Sequence, residues 1–157
     1  MTDCSDIRIR PFAAGDFELV REFFDSMGVE TVYYFNRKDI NRNFANKFFD
    51  GTAENTRYFL AECDGKMVGY VFLWDMDTGV PWLGIAVRDD FKGRHLGRRL
   101  IRHAQECAVA EGKGGILLST HQNNMRGQML YERMGFESIG TEFRHEILYI
   151  WRVKNEK

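Results

Sequence analysis

A chain of 157 residues with 44% apolar content is long enough to bury one substantial core, and a single domain is the natural expectation. Its 22 Lys and Arg against 23 Asp and Glu leave a net charge of -1 and a pI near 6.4, which argue against a nucleic-acid track and make any positive charge local. No apolar run approaches the roughly 18–20 residues that cross a bilayer, and the stretch from Met1 to Asp6 carries no basic, apolar leader, so neither membrane insertion nor secretion is expected. Cys4, Cys63 and Cys107 show neither metal-type nor redox spacing and read as reduced thiols of a cytoplasmic protein, with no metal site.

In chain order, Ile7 to Arg10 alternates and stops at Pro11, which predicts a first strand. Phe17, Val20, Phe23 and Phe24 recur at helical spacing up to Gly28, and Ile40, Phe44 and Phe48 predict a second, short helix. Strands at 58–63 and 67–74 flank Asp64-Gly65, a pair suited to the two-residue hairpin turn because both of its central residues need positive φ. The apolar run from Pro81 to Val87 reads as a buried strand. A helix at about 95–111, a strand at 116–120 and a helix from Met125 to Met134 stopped by Gly135 follow. One or two strands close the chain, the last at 146–153. A hairpin feeding a βαβ crossover implies a mixed sheet with helices on its faces.

Charge is concentrated at one place. Lys92, Arg94, Arg98, Arg99 and Arg102, with His95 and His103, lie between Phe91 and Gln105 without a carboxylate, around glycines at Gly93 and Gly97. This is where a helix begins, with Leu96, Leu100, Ile101, Ala104 and Ala108 as its apolar stripe. Cations at a helix N-terminus oppose its dipole by about 0.3–1 kcal/mol each, so their accumulation there makes sense if an anion binds. Glycines let backbone N–H groups approach phosphate closely, and arginines add bidentate contacts. The alternative reading is a solvated basic helix face.

Three separated segments now support a comparison. Lys92-Gly93-Arg94-His95-Leu96-Gly97 follows the strand ending Ile85-Ala86-Val87. Asn124-x-x-Gly127-x-x-Leu130-Tyr131-x-x-x-Gly135-Phe136 follows the next strand, and Ile9-Arg10-Pro11 with Asp16 opens the chain. In this order they resemble the GNAT superfamily of N-acetyltransferases over residues 5–153, taken as one domain. The resemblance implies an α/β (α+β) fold with a mixed, mostly antiparallel sheet of six to seven strands flanked by about four helices. It departs from the family pattern at Lys92, where Gln or Arg is usual, and at His95, which replaces the first motif glycine.

The resemblance also implies chemistry: an acetyl group moves from acetyl-CoA to a primary amine by direct attack in a ternary complex. The implied cofactor-binding residues are Ile85 and Val87, through their backbone, then Lys92, Gly93, Arg94, His95, Leu96, Gly97 and Arg98 around the phosphates, with Arg99 as a further cation, and Asn124 at the cofactor arm. Tyr131 is the implied general acid for the leaving thiolate. From the residues alone, Tyr131 reads as a packing residue beside Leu130 and Phe136, which only the surrounding block reverses, and Asn124 reads equally as a helix N-cap. No general base stands out. The strand Trp82-Leu83-Gly84-Ile85 lacks the glutamate of histone-type relatives, and Ser119 stands near where ribosomal-protein N-terminal acetyltransferases carry theirs. Glu30, Glu62, Asp75, Asp77 and His121 remain as candidates. Tyr33, Tyr34 and Asn36 are candidate pocket residues, whereas Phe44 and Phe48 read as core. The acceptor is a small-molecule or peptide amine, with no nucleic-acid or membrane partner, and a homodimer stays open. A noncatalytic acyl-CoA-binding regulatory module on the same fold is the competing expectation.

Overall fold

The computed structural model describes residues 6–26, 38–91, 95–142 and 145–154. Lys92, Gly93, Arg94, Glu30, Tyr33, Tyr34 and Asn36 therefore lie outside the described residues. The elements are β1 (Arg8–Pro11), a short 3-10 turn (Ala14–Asp16), α1 (Phe17–Asp25), α2 (Lys38–Asp50), β2 (Arg57–Cys63) and β3 (Lys66–Trp74). They continue with β4 (Trp82–Val87), α3 (Leu96–Ala110), β5 (Gly115–His121), α4 (Met125–Arg133), β6 (Glu137–Glu142) and β7 (Glu146–Arg152). One seven-stranded sheet runs in the order β1-β2-β3-β4-β5-β7-β6. β4 and β5 are parallel, and every other neighbouring pair is antiparallel.

The β2–β3 hairpin forms because Asp64 and Gly65 both take positive φ, 51° and 76°, as the paired strands' twist requires. A register shift between Ala61 and Glu62 marks a bulge in this ladder. Pro11, expected to stop β1, is instead its last residue, paired with Phe59. The Phe12 N–H donates to Tyr58 O at 3.0 Å, so alternation turns Pro11 outward on an edge strand, where its missing N–H breaks no ladder bond.

The sheet is clothed on both sides. On one face Val20, Phe23 and Phe24 of α1 meet Leu60, Tyr70 and Phe72, with Phe44 and Phe48 of α2 packed against this core as their spacing suggested. On the other, Leu96, Leu100, Ile101 and Ala104 of α3 pack on Val71, Leu83 and Ile85, and this core continues through Tyr131 and Tyr149. No helix among the described residues is long and apolar enough to cross a membrane. Cys63, at the end of β2, is disulfide-bonded whereas Cys107 is free, so the expectation of reduced thiols is corrected at Cys63. Pairing depends on approach in space, which cysteine spacing does not report.

One polar cluster ties the start of the chain to the sheet. Arg10 grips Asp16 through Nη1–Oδ2 and Nη2–Oδ1 at 2.7 and 2.9 Å, and its Nε donates to Glu62 Oε1 at 2.8 Å. Asp16 Oδ2 also accepts the Ala13 N–H at 2.7 Å. The hydrogen bonds from Arg10 hold the buried Asp16 carboxyl below its ordinary pKa, against the opposing effect of burial. A depressed folded-state pKa stabilises above the unfolded value, near 4, and that stabilisation fades as pH falls through the folded value. Arg10→Ala is expected to cost about 3 kcal/mol at pH 7, or roughly 6–12 °C in Tm, with the gap from wild type narrowing in acid. Calorimetric melts at pH 7 and pH 3 check both parts.

Candidate active site

The parallel pair at the centre of the sheet is short. β4 and β5 are in register only at Trp82 and Leu117, with the Leu117 N–H donating to Pro81 O at 2.9 Å. That bond turns the odd-numbered residues of β4 toward β5. The Arg88 N–H donates to Val68 O at 2.8 Å, turning the even-numbered ones toward β3. Ile85 and Val87 therefore aim their backbone N–H and C=O groups into the widening gap between β4 and β5. Such groups need partners, and an extended ligand arm seated between the strands would supply them. Their side chains belong to the core under α3, so only backbone faces the gap.

α3 starts beside this opening. His95 takes left-handed geometry, φ 62° and ψ 11°, a conformation that glycine adopts freely and other residues adopt at about 1–2 kcal/mol. Position 95 thus keeps the backbone conformation a glycine would give, although the sequence replaces it. His95 makes no side-chain cap, and the first turn of α3 holds no acid, so its orphan N–H groups and dipole are not neutralised from within the helix. Arg98 is half-exposed on this turn. Arg99, expected as a further phosphate cation, donates through Nη2 to Ile7 O at 2.8 Å. Leu96 is buried under α3 and offers the site only backbone. Gly97 has a packing reason beyond its N–H: a Cβ there would stand 2.8 Å from Leu130 Cδ2, so α3 and α4 approach closely at this glycine.

α4 carries the remaining residues. Asn124 caps it, Oδ1 accepting the Gly127 N–H at 3.1 Å while Nδ2 donates to Thr120 Oγ1 at 3.1 Å. A Cβ at Gly127 would lie 2.4 Å from Asn124 Nδ2, which accounts for glycine at that position. Tyr131 is 4% exposed and meets Phe136 and Tyr149 with ring centroids 6.2 and 6.1 Å away. Burial, then the charge of Glu146 and the neighbouring Tyr149, push its pKa well above the ordinary value, so its phenol stays protonated. The Tyr149 hydroxyl donates to Glu132 at 2.8 Å.

Residues 54–138 match the acetyltransferase (GNAT) domain, more than half of the chain. The protein belongs to the GNAT acetyltransferase family. A Bacillus subtilis protein named as a candidate ribosomal protein bS18-alanine N-acetyltransferase is 26% identical over 117 residues, covering 69% of this chain and 78% of that one. The B. subtilis spore coat polysaccharide biosynthesis protein SpsD is 25% identical over 153 residues, 94% of this chain but 52% of its own length. Among solved structures, the GNAT domain of S. lividans PAT superposes with TM-score 0.78 at 17% identity, covering 94% of this chain and 90% of that domain. The PaiA N-acetyltransferase from Thermoplasma acidophilum, in complex with coenzyme A, superposes with TM-score 0.74 at 17% identity, covering 94% and 99%. The seven-stranded, mostly antiparallel sheet is thus the GNAT fold.

Within this GNAT fold most candidate bases are placed elsewhere or engaged. Glu62 is held by Arg10. Asp75 and Asp77 lie in the β3–β4 connection, at the Trp82 end of β4, roughly 17 Å of strand from Val87. His121 Nδ1 accepts the Asn123 N–H at 3.1 Å, so that nitrogen is already engaged. Ser119 stands two residues before it on β5. Glu146, at the start of β7 opposite His121, escaped sequence reasoning because only strand pairing brings it there.

His95→Gly is expected to stabilise by about 0.5–1 kcal/mol, the left-handed penalty less the entropy of glycine, raising Tm by roughly 1–4 °C. A fall in Tm by calorimetry would show that His95 carries no such strain. Asn124→Ala removes the cap and one partner of buried Thr120 and is expected to cost about 1–2 kcal/mol in urea unfolding.

Proposed function

We propose that this GNAT protein moves the acetyl group of acetyl-CoA to a primary amine by direct attack within a ternary complex. The observation that carries the reading is the β4–β5 gap, with the backbone of Ile85 and Val87 turned into it and the uncapped start of α3 beside it. Those groups suit the two halves of this cosubstrate: a chain of amides for the strand and phosphates for the helix start. Lys92, Gly93 and Arg94, outside the described residues, are proposed to extend the phosphate contacts with Gly97 and Arg98. Asn124 Oδ1 retains a second lone pair for the cofactor arm after capping.

In the reaction, the amine nitrogen bonds to the thioester carbon and the carbon–sulfur bond breaks. Negative charge grows on the carbonyl oxygen, and a fixed strand N–H is a preorganised donor for it. Tyr131 supplies the proton to the departing sulfur, and the proton that the attacking nitrogen sheds on becoming an amide restores the phenol. A thiol with pKa near 8.5 leaves tolerably unaided, so the hydroxyl contributes a modest factor. The acceptor must reach the site as a free amine. This costs about 4.6 kcal/mol at pH 7 for a lysine-like amine of pKa ~10.4 and about 1–1.5 for an α-amine near 8.

The test is thermal unfolding with acetyl-CoA and CoA, using ATP and NAD as comparators. At about 100 times its dissociation constant, acetyl-CoA is expected to stabilise by ~2.7 kcal/mol, a shift of roughly 5–11 °C that ATP and NAD do not reproduce. No shift at millimolar acetyl-CoA sinks the assignment. Tyr131→Phe is expected to lower kcat by ~10–1000-fold with cofactor affinity retained. Because the Tyr131 pKa is raised, the rate against pH is expected to rise with amine deprotonation and to show no fall from Tyr131 below about pH 10. Binding of acetyl-CoA without CoA release over a panel of amines would favour the noncatalytic module.

A further inference from the structure

Tyr131 can deliver a proton only if its ring is held in place, and α4 is a short support for that, nine residues long. Asn124 fixes its start to Thr120, and Leu130 against Gly97 sets it on α3, but neither contact touches the Tyr131 ring. The ring lies between two aromatic walls. Phe136 stands 6.2 Å away at 61° and Tyr149 6.1 Å away at 59°, centroid to centroid. The walls differ in what carries them. Phe136 follows α4 directly, and its N–H donates to Tyr131 O at 3.0 Å, so it moves with the helix. Tyr149 sits within β7, paired with Leu118 of β5 and Ser138 of β6, so it belongs to the sheet. Tyr149 is therefore the wall that relates the Tyr131 ring to the β4–β5 gap.

Burying a tyrosine ring takes its hydroxyl out of water, and that hydroxyl needs a partner. Tyr149 is 1% exposed, and its hydroxyl donates to Glu132 Oε2 at 2.8 Å. Glu132 directly follows Tyr131 on α4, at an exposed position. The bond thus runs from the sheet back to the helix one residue from the proton donor, and a carboxylate acceptor makes it stronger than a neutral one would. Three links close on one another: ring against ring, hydroxyl to carboxylate, and the peptide bond joining Glu132 to Tyr131. Burial, then the bond to Glu132, raise the Tyr149 pKa to about 12, so at neutral pH the phenol keeps its proton and the bond persists.

We infer that Tyr149 and Glu132 are positioning residues of the acetyl transfer, their hydrogen bond holding the Tyr149 ring as the fixed wall that aims the Tyr131 phenol at the departing sulfur. The inference rests on the acetyl-transfer reading with Tyr131 as its acid. A displaced proton donor weakens the step in which it acts and leaves the binding of both substrates alone, so the effect falls on kcat.

Tyr149→Phe keeps the ring and deletes the hydroxyl, and Glu132→Ala deletes the acceptor from an exposed position. With the amine acetylated fastest in the panel, each is expected to lower kcat about three- to tenfold, with acceptor KM and the acetyl-CoA dissociation constant by calorimetry within about twofold. Glu132→Gln, whose amide oxygen still accepts, is expected to recover most of the loss. Because both residues act through Tyr131, adding Tyr149→Phe to Tyr131→Phe is expected to change kcat by less than about twofold. An unchanged kcat in either single variant, a double-variant loss that multiplies the single ones, or a change confined to acetyl-CoA affinity overturns the inference and leaves the acetyl-transfer reading standing. So does a Tyr131→Phe kcat equal to wild type. Should Tyr149→Phe melt below the assay temperature, Glu132→Ala carries the same test, again with Tyr131→Phe as background. A wild-type protein that binds acetyl-CoA but releases CoA with no amine overturns both readings.

Discussion

Parallel pairing between β4 and β5 that stops after a single register position is the constraint on which the rest of the structure depends. A sheet normally satisfies each strand's N–H and C=O groups with the next strand, and where the pairing stops a row of them is no longer met by the neighbouring strand. The gap survives because both of its walls are held from their far sides. β4 is laddered to β3 along its whole length, and β5 to β7 along all seven of its residues. The halves of the sheet are thus each complete, and the seam between them is the place where extended backbone is offered to a ligand.

Helix placement follows from the same seam. α3 bridges β4 and β5, so its N-terminus arrives beside the gap, and the close approach of Gly97 to Leu130 sets α4 against it one residue before Tyr131. Asn124 and Thr120 fix the start of α4 to the end of β5. The phosphate-facing turn and the buried phenol are therefore parts of one packed unit. On the other face, Arg88 at the end of β4 grips Glu22 of α1 through two bonds of 2.9 and 3.0 Å, tying the gap's wall to the first helix. His95 holds its strained turn because these contacts determine where α3 begins.

Much of this was legible in residue order. The Asp64-Gly65 turn, the helical stripe from Leu96 to Ala108 and the stop at Gly135, whose φ is 92°, depend on local geometry that a few neighbouring residues decide. Less legible was whatever two distant segments decide together. Pro11 reads as a terminator until its strand is seen at a sheet edge. That Arg99 reaches Ile7 O is invisible in residue order, and Cys63 reads as a free thiol until folding brings another sulfur to it. Glu62 reads as a possible base until Arg10 takes it.

By itself, the sequence determined the order and type of nearly every element, the basic helix start and the Asn124-to-Phe136 block, because propensity, turn chemistry and periodicity act over a few residues. Only the tertiary structure decided which way the Ile85 and Val87 backbone points, that His95 accepts a glycine's conformation, and that Glu146 stands opposite His121 within reach of Tyr131. The first and last of these are matters of strand register and of which face a side chain takes. Register is set by long-range pairing, and a slip of one residue would reverse both.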